Sequence, residues 1–143
     1  MDHKLKLMVV DDSPLFRTWL IHSLSEDDRF QVVGYAVNAL DAQEKIPLLQ
    51  PDMLTLDIEM PGMSGIDFLK QLLPVHPIPV ILVSSLNLRV FDALEAGAVD
   101  FVRKPDETNG LSKEIFLSML RSKLMVAAAS HVHLPSALAD PQA

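Results

Sequence analysis

Three aspartates and one lysine are the residues of this sequence most suited to chemistry. They are Asp11, Asp12, Asp57 and Lys104. Brought together, they would carry three negative charges and one positive charge, a net charge of −2, and clustered carboxylates repel one another unless something neutralises them. A divalent cation would bring the sum to zero, and an all-oxygen ligand set suits Mg²⁺ or Mn²⁺. Beside such an ion Asp57 could attack phosphorus as a carboxylate nucleophile, while Lys104 binds a phosphoryl oxygen.

Short apolar runs alternate with stretches of helical periodicity along the chain. Strands are predicted over residues 5–10, 30–36, 53–57, 79–83 and 101–102. Helices are predicted from Pro14 to just before Asp27, from the cap Ser64 to residue 73, and over residues 38–50, 88–96 and 112–128. Nearly all-apolar strands that alternate with helices indicate a parallel sheet covered on both faces, which is an α/β fold.

The polar residues of interest all follow predicted strands. Asp11 and Asp12 follow the first strand, Asp57 ends the third, Ser84 follows the fourth and Lys104 follows the fifth. Sites in open parallel sheets form at the carboxyl ends of the strands. The spacing therefore predicts one site at one edge of the sheet, with Ser84 supplying a hydroxyl for a further phosphoryl oxygen.

Helical spacing also predicts which side chains face the core. The predicted inward positions are Leu15, Phe16, Trp19, Leu20 and Leu24 in the first helix, Leu40, Ile46 and Leu49 in the second, and Ile115, Phe116, Met119, Leu120 and Leu124 in the last. We expect Pro47 to kink or shorten the second helix, since proline lacks the N–H of a helix interior. Gly97 is expected just after the end of the fourth helix.

Composition limits the possible classes of protein. A chain of 143 residues suits a single domain, predicted over residues 1–126, with residues 127–143 as a linker or disordered tail. A net charge of −7 disfavours direct binding to nucleic acid. The chain has no cysteine, which excludes disulfides, thiolate nucleophiles and Cys-bound zinc. The apolar runs are too short to insert into a membrane, and a cytoplasmic location is expected.

These residues together resemble a known family. The pattern consists of Asp11-Asp12, Asp57 followed by Met60-Pro61-Gly62, Ser84, and Lys104-Pro105. In that order and spacing it resembles the receiver domain of two-component response regulators over about residues 5–125. The stretches LTLDIEMPGMSGIDFL (54–69), VSSL (83–86) and ALEAGAVDFVRKP (93–105) look most like the receiver of chemotaxis protein-glutamate methylesterase. The resemblance implies a flavodoxin-like, doubly wound five-stranded parallel sheet with helices on both faces.

The resemblance also implies a role for each acidic residue. Asp57 would accept a phosphoryl group from a histidine of a sensor kinase, for which the chemotaxis kinase is a candidate. Asp12 would ligate Mg²⁺ directly, Asp11 would act through water, and the backbone carbonyl of Glu59 would be a further ligand.

Ser84 and Phe101 would form the switch pair that the resemblance implies. The hydroxyl would move to the new phosphoryl oxygens and the aromatic ring would turn into the space that the hydroxyl leaves, which would shift the population between two packings. The segment between Ser84 and Ala93 is shorter than the family pattern. We therefore expect a trimmed fourth helix, on a surface that normally takes part in output.

The sequence leaves the enzymatic status of the chain open. Gly62-Met63-Ser64-Gly65 is one residue short of a G-x-S-x-G nucleophile elbow, and Ser64 is interpreted as a helix cap. We therefore expect a regulatory phosphoacceptor without an effector site. It is expected either to control a methylesterase-type effector, joined or separate, or to act alone.

Two further classes of function remain as alternatives. One is a degenerate receiver that serves only as an interaction scaffold. The other is a Mg²⁺-dependent phosphohydrolase with an aspartyl-phosphate intermediate. Such enzymes place two aspartates two residues apart after the first strand, whereas Asp11 and Asp12 are contiguous.

Overall fold

The computed structural model describes residues 4–85, 89–106 and 112–138, with side chains described up to residue 130. The elements in chain order are β1 Leu5–Val10, α1 Pro14–Ser25, β2 Phe30–Ala36, α2 Ala39–Leu49, β3 Met53–Leu56, α3 Gly65–Leu72, β4 Val80–Ser84, α4 Val90–Glu95, β5 Asp100–Arg103 and α5 Lys113–Leu138. Within these ranges, no helix has both the length and the apolar character needed to cross a bilayer.

Parallel strands form one sheet in the order β2-β1-β3-β4-β5. The strand order reverses between β1 and β3, which is the switch point of a flavodoxin-like fold. The side chains of successive β1 residues point to opposite faces of the sheet, because side chains alternate along a strand. Met8 and Val10 pack in the core beneath α2 and α3, and Leu7 and Val9 pack in the core beneath α1 and α5. The predicted doubly wound fold is confirmed.

Side-chain caps fix the start of three helices. The side chains of Ser13, Asn38 and Ser64 accept backbone N–H groups at the first turns of α1, α2 and α3 respectively. Such caps satisfy donors that have no partner inside the helix. The interpretation of Ser64 as a cap is confirmed, and α3 consequently begins a short distance after Asp57.

Four residues predicted to face the core are exposed instead. Their exposed fractions are 86% for Leu15, 63% for Leu40, 52% for Ile115 and 40% for Met119. On each of these helices the row of buried side chains is narrower than the row of apolar residues in the sequence. In α5 the stripe is Phe116, Leu120 and Leu124, and in α2 it is Ala39, Ala42 and Ile46. Leu40, Ile115 and Met119 each lie one position from these stripes, which turns them about 100° away from the sheet.

One helix extends well beyond its predicted end. The last helix continues past residue 128 to Leu138, and Ala127 and Ala128 are buried in the core beneath α5. The fourth helix is the six-residue segment Val90–Glu95, and its predicted start at Leu88 lies outside the described residues. Helix α2 contains Pro47 and ends soon after it, at Leu49.

Candidate functional site

The predicted site residues meet at the carboxyl edge of the sheet. Asp11 follows β1, Asp57 follows β3, Ser84 ends β4 and Lys104 follows β5. These four strands are consecutive neighbours in the sheet. One carboxylate oxygen each from Asp11, Asp12 and Asp57 lies within 4.8 Å of the others. The three acids that the sequence singles out therefore form one cluster.

Lys104 is the cation that the fold brings to this cluster. Its Nζ lies 2.9 Å from Oδ2 of Asp11 and 3.6 Å from Oδ2 of Asp57. The same Nζ lies 4.4 Å from the centroid of the Phe16 ring, at the start of α1. The side chain is only 16% exposed, so these charges interact with little screening by solvent.

Asp11 is held through both its backbone and its side chain. Its N–H donates to the Ala36 carbonyl at 3.1 Å, and its own carbonyl accepts from the Arg17 guanidinium at 2.8 Å. Its Oδ1 accepts from the Ser13 N–H at 2.8 Å, while Oδ2 faces Lys104. The backbone of Asp11 and both of its carboxylate oxygens are therefore held in position.

Asp57 is buried and ionises with difficulty. It is 5% exposed, and its Oδ1 accepts from the Glu59 N–H at 3.2 Å. Burial raises the pKa of the Asp57 carboxyl to about 6, with a smaller upward contribution from the negative charge of Asp11 and an opposing contribution from Lys104. Removing a carboxylate from water disfavours its charged form, so a cation at this position would favour the ionised state.

The raised pKa predicts that Asp57 makes stability depend on pH in the absence of divalent cations. The folded protein holds the Asp57 proton more tightly than the unfolded chain does. Protonation of Asp57 therefore stabilises the fold at low pH, and this stabilisation is lost as pH rises from about 4 to about 6. We therefore expect Asp57→Asn to exceed the parent in unfolding free energy by about 2 kcal/mol at pH 7.5, with the difference shrinking as pH falls through 6. Urea unfolding with a chelator measures this, and a difference independent of pH would contradict it.

Asp12 and Glu59 lie at the open side of the cluster. Both are exposed and line a cleft together with Met60, Pro61 and Arg89. The donor set fits Mg²⁺, because hard carboxylate oxygens converge and carry an excess of negative charge over Lys104. The open side leaves room for water or a phosphoryl group to supply further ligands.

Ser84 and Phe101 share one face of the sheet. Phe101 pairs with Leu82, and Ser84 follows Leu82 by two residues on β4, so alternation directs both side chains to the same face. Ser84 is fully buried, whereas Phe101 is partly buried at the border of the core beneath α2, α3 and α4. Both residues of the predicted switch pair therefore lie on the face of the sheet that α2, α3 and α4 cover.

Gly65 allows α3 to pass close behind Asp57. A Cβ atom at residue 65 would lie 2.8 Å from the Asp57 carbonyl oxygen and 2.8 Å from the Ile58 Cα. Both are backbone atoms, which cannot move aside without shifting the segment after β3 that carries Asp57. Glycine is therefore required here by space.

We expect Gly65→Ala to lower the free energy of unfolding by about 1–3 kcal/mol, because the added methyl group overpacks this contact. Alanine normally stabilises a helix relative to glycine. A lower free energy of unfolding in this variant would therefore be due to the steric overlap. The control is Lys70→Ala on the exposed face of α3, expected within about 0.5 kcal/mol of the parent. Equal stability of the two variants in urea unfolding would refute the steric argument.

Two residues of α1 next to the cluster were missed by the sequence prediction. The helical pattern predicts only a core position for Phe16, yet its ring lies under the Lys104 ammonium. The predicted site does not include Arg17, although its guanidinium donates to the Asp11 carbonyl. One available signal was the backward direction of long helical side chains, which places Arg17 near the residues before the helix.

Comparison with known proteins identifies the class of this domain. The model of the response regulator receiver domain family matches residues 7–116, which is more than half of the chain. The chain therefore belongs to the response regulator receiver domain family.

Among the proteins similar to this chain are protein-glutamate methylesterases. The chain is 45% identical over 129 residues to protein-glutamate methylesterase/protein-glutamine glutaminase 2 of Syntrophomonas wolfei, covering 90% of the chain and 38% of that protein. It is 43% identical over 136 residues to the enzyme of the same name from Vibrio vulnificus, covering 92% and 39%. The response regulator domain of Thermotoga maritima CheB matches with a TM-score of 0.79 and 36% identity, covering 89% of the chain and 98% of that domain. The chain is thus a CheB-like receiver that spans about two fifths of the curated relatives.

Proposed function

We propose that this domain accepts a phosphoryl group on Asp57 from a phosphohistidine of a sensor kinase. The observation that carries the proposal is the placement of Asp57, buried at the end of β3 with two further carboxylates and Lys104 around it. A carboxylate nucleophile needs neutralisation of the charge on the incoming phosphoryl group. Lys104 supplies one positive charge beside Asp57, and a divalent cation held by the carboxylates would supply the rest.

Asp12, Asp57 and the backbone carbonyl of Glu59 would hold Mg²⁺, and Asp11 would act through water. When bound, the cation neutralises charge on the phosphoryl oxygens and favours the ionised carboxyl of Asp57. The Glu59 N–H already fixes Oδ1 of Asp57. Oδ2, which faces Lys104 at 3.6 Å, is the oxygen that we assign as the nucleophile.

Lys104 would bind an oxygen of the transferred phosphoryl group. In the structure its ammonium already lies between Asp11 and Asp57, so a short displacement exchanges a carboxylate partner for a phosphoryl partner. The Ser84 hydroxyl would bind a second phosphoryl oxygen, and Phe101 would then rotate inward. This sequence couples a local change of charge to the packing of β4, β5 and α4.

The output that we propose is control of a methylesterase-type effector. The relatives carry that name and extend well beyond the length matched by this chain. The effector partner, the chemotaxis kinase as phosphodonor and a cytoplasmic location all follow from this likeness and are proposed together. Nucleic acid is not proposed as a direct partner, given the net charge of −7 and the repulsion between like charges. Membrane insertion is not proposed, because the apolar runs are too short.

Incubation of the chain with acetyl phosphate tests the proposal. We expect incorporation of one acid-stable, alkali-labile phosphoryl group, and no incorporation when a chelator has removed Mg²⁺ from the reaction. No incorporation would refute the proposal and favour the scaffold hypothesis. Continuous release of phosphate from phosphate monoesters such as p-nitrophenyl phosphate would instead favour the phosphohydrolase hypothesis.

A further inference from the structure

Arg17 connects the acidic cluster to a part of the fold that the proposed phosphotransfer does not use. It lies in the first turns of α1, where its N–H donates to the Ser13 carbonyl at 2.9 Å. Its side chain runs back toward the helix start and donates from a terminal guanidinium nitrogen to the Asp11 carbonyl at 2.8 Å. The guanidinium carbon lies 4.8 Å from the centroid of the Tyr35 ring. Arg17 therefore has one polar partner in the site and one aromatic partner on β2.

Tyr35 is itself held in place from α2. The Lys45 Nζ lies 4.8 Å from the ring centroid, donates to the Tyr35 carbonyl at 2.8 Å, and pairs with Oδ2 of Asp41 at 3.2 Å. Cations over aromatic faces are attracted by the ring quadrupole. Lys45 thus holds Tyr35 in place, and the Arg17 guanidinium packs against the ring of Tyr35.

The carbonyl that Arg17 binds belongs to the peptide that joins Asp11 to Asp12. The N–H on the other side of Asp11 is fixed by the Ala36 carbonyl. Rotation of the Asp11–Asp12 peptide would move the exposed carboxylate of Asp12 relative to Asp57. Arg17 opposes that rotation, because a charge-assisted hydrogen bond is directional and stronger than a neutral one.

We infer that Arg17, supported by the Tyr35 ring, is a positioning residue that holds the Asp11–Asp12 peptide in the orientation that binds the divalent cation. This inference rests on the proposed metal site. Groups that orient ligands without contacting the metal commonly change metal affinity when they are removed. Arg17 pairs with none of the carboxylates in the described part of the chain, so it acts through the backbone.

The charge of Arg17 and its proposed positioning role would change the Kd for Mg²⁺ in opposite directions. A guanidinium beside the cluster repels a divalent cation, so its charge alone would weaken binding, and Arg17→Gln would then lower the Kd for Mg²⁺. If Arg17 acts by position, the same substitution raises the Kd. The sign of the change therefore separates the two effects in one experiment.

The experiment is calorimetric titration of the full chain with Mg²⁺ at pH 7.5. We expect Arg17→Gln to raise the Kd about tenfold and Tyr35→Leu to raise it about threefold. The matched control Tyr35→Phe keeps the ring and should bind as the parent does. Unfolding free energies measured without Mg²⁺ accompany each titration, because a merely structural role would lower stability and leave the Kd unchanged.

An unchanged or lowered Kd in Arg17→Gln would overturn the inference while the proposed function stands. If Arg17→Gln does not fold, Tyr35→Leu decides, because that ring is 44% exposed and tolerates replacement; parent-like affinity in this variant would overturn the inference. A parent chain that binds no Mg²⁺ would overturn the proposed metal site and this inference with it.

Discussion

Asp57→Asn is expected to reduce incorporation of the phosphoryl group from acetyl phosphate by about 100-fold or more. The amide cannot act as the oxygen nucleophile, yet it has nearly the same shape and can still accept the Glu59 N–H. The fold should therefore remain, and the variant should be more stable than the parent at neutral pH. Radiolabelling or phosphate-affinity electrophoresis measures the incorporation.

The matched control for this variant is Asp67→Asn. It makes the same chemical change at an exposed position in the first turn of α3, and we expect incorporation equal to that of the parent. Labelling of Asp57→Asn at the parental rate would mean that another residue accepts the phosphoryl group, and the site assignment would be wrong.

Lys104→Ala is expected to separate phosphorylation from the conformational response. The variant should keep its fold and bind the phosphoryl mimic beryllium trifluoride. It should also lose most of the change that the mimic causes in the parent, because the ammonium that links the phosphoryl group to its surroundings is gone. The chain has one tryptophan, and Trp19 lies 5.6 Å from the Phe16 ring that contacts Lys104. Fluorescence of Trp19 is therefore a suitable measurement.

Lys70→Ala serves as the control for Lys104→Ala, because it removes an exposed lysine from α3. Its fluorescence change on adding beryllium trifluoride should match that of the parent. If Lys104→Ala gave the same spectral change as the parent and the control, Lys104 would have no part in the coupling.

Much of the fold was predictable because the residues that flank each apolar run mark where the strand begins and ends. The bounds of β1 and β2 match the prediction at both ends, since polar or turn-forming residues flank each run. The acidic cluster was predictable for a topological reason. Parallel strands bring their carboxyl ends to one edge, so Asp11, Asp57 and Lys104 had to meet once the strands were correctly placed.

The remainder depends on tertiary packing, which local patterns do not encode. Leu15 and Leu40 belong to apolar helical patterns, but the distance of each helix from the sheet decides how wide a stripe is buried. In α2 the stripe consists mostly of alanines, and Leu40 is left outside it. The contacts of Phe16 and Arg17 join α1 to residues of other elements. Only the assembled fold brings those partners together.

Identification of the phosphorylated residue in the parent chain tests the central claim most directly. The chain is phosphorylated with acetyl phosphate and Mg²⁺, reduced with borohydride, digested and sequenced by mass spectrometry. We predict that reduction to homoserine occurs at Asp57 and at no other carboxylate. Modification at Asp11 or Asp12, or a phosphoryl group found on a histidine, would contradict the assignment of Asp57 as the phosphoacceptor.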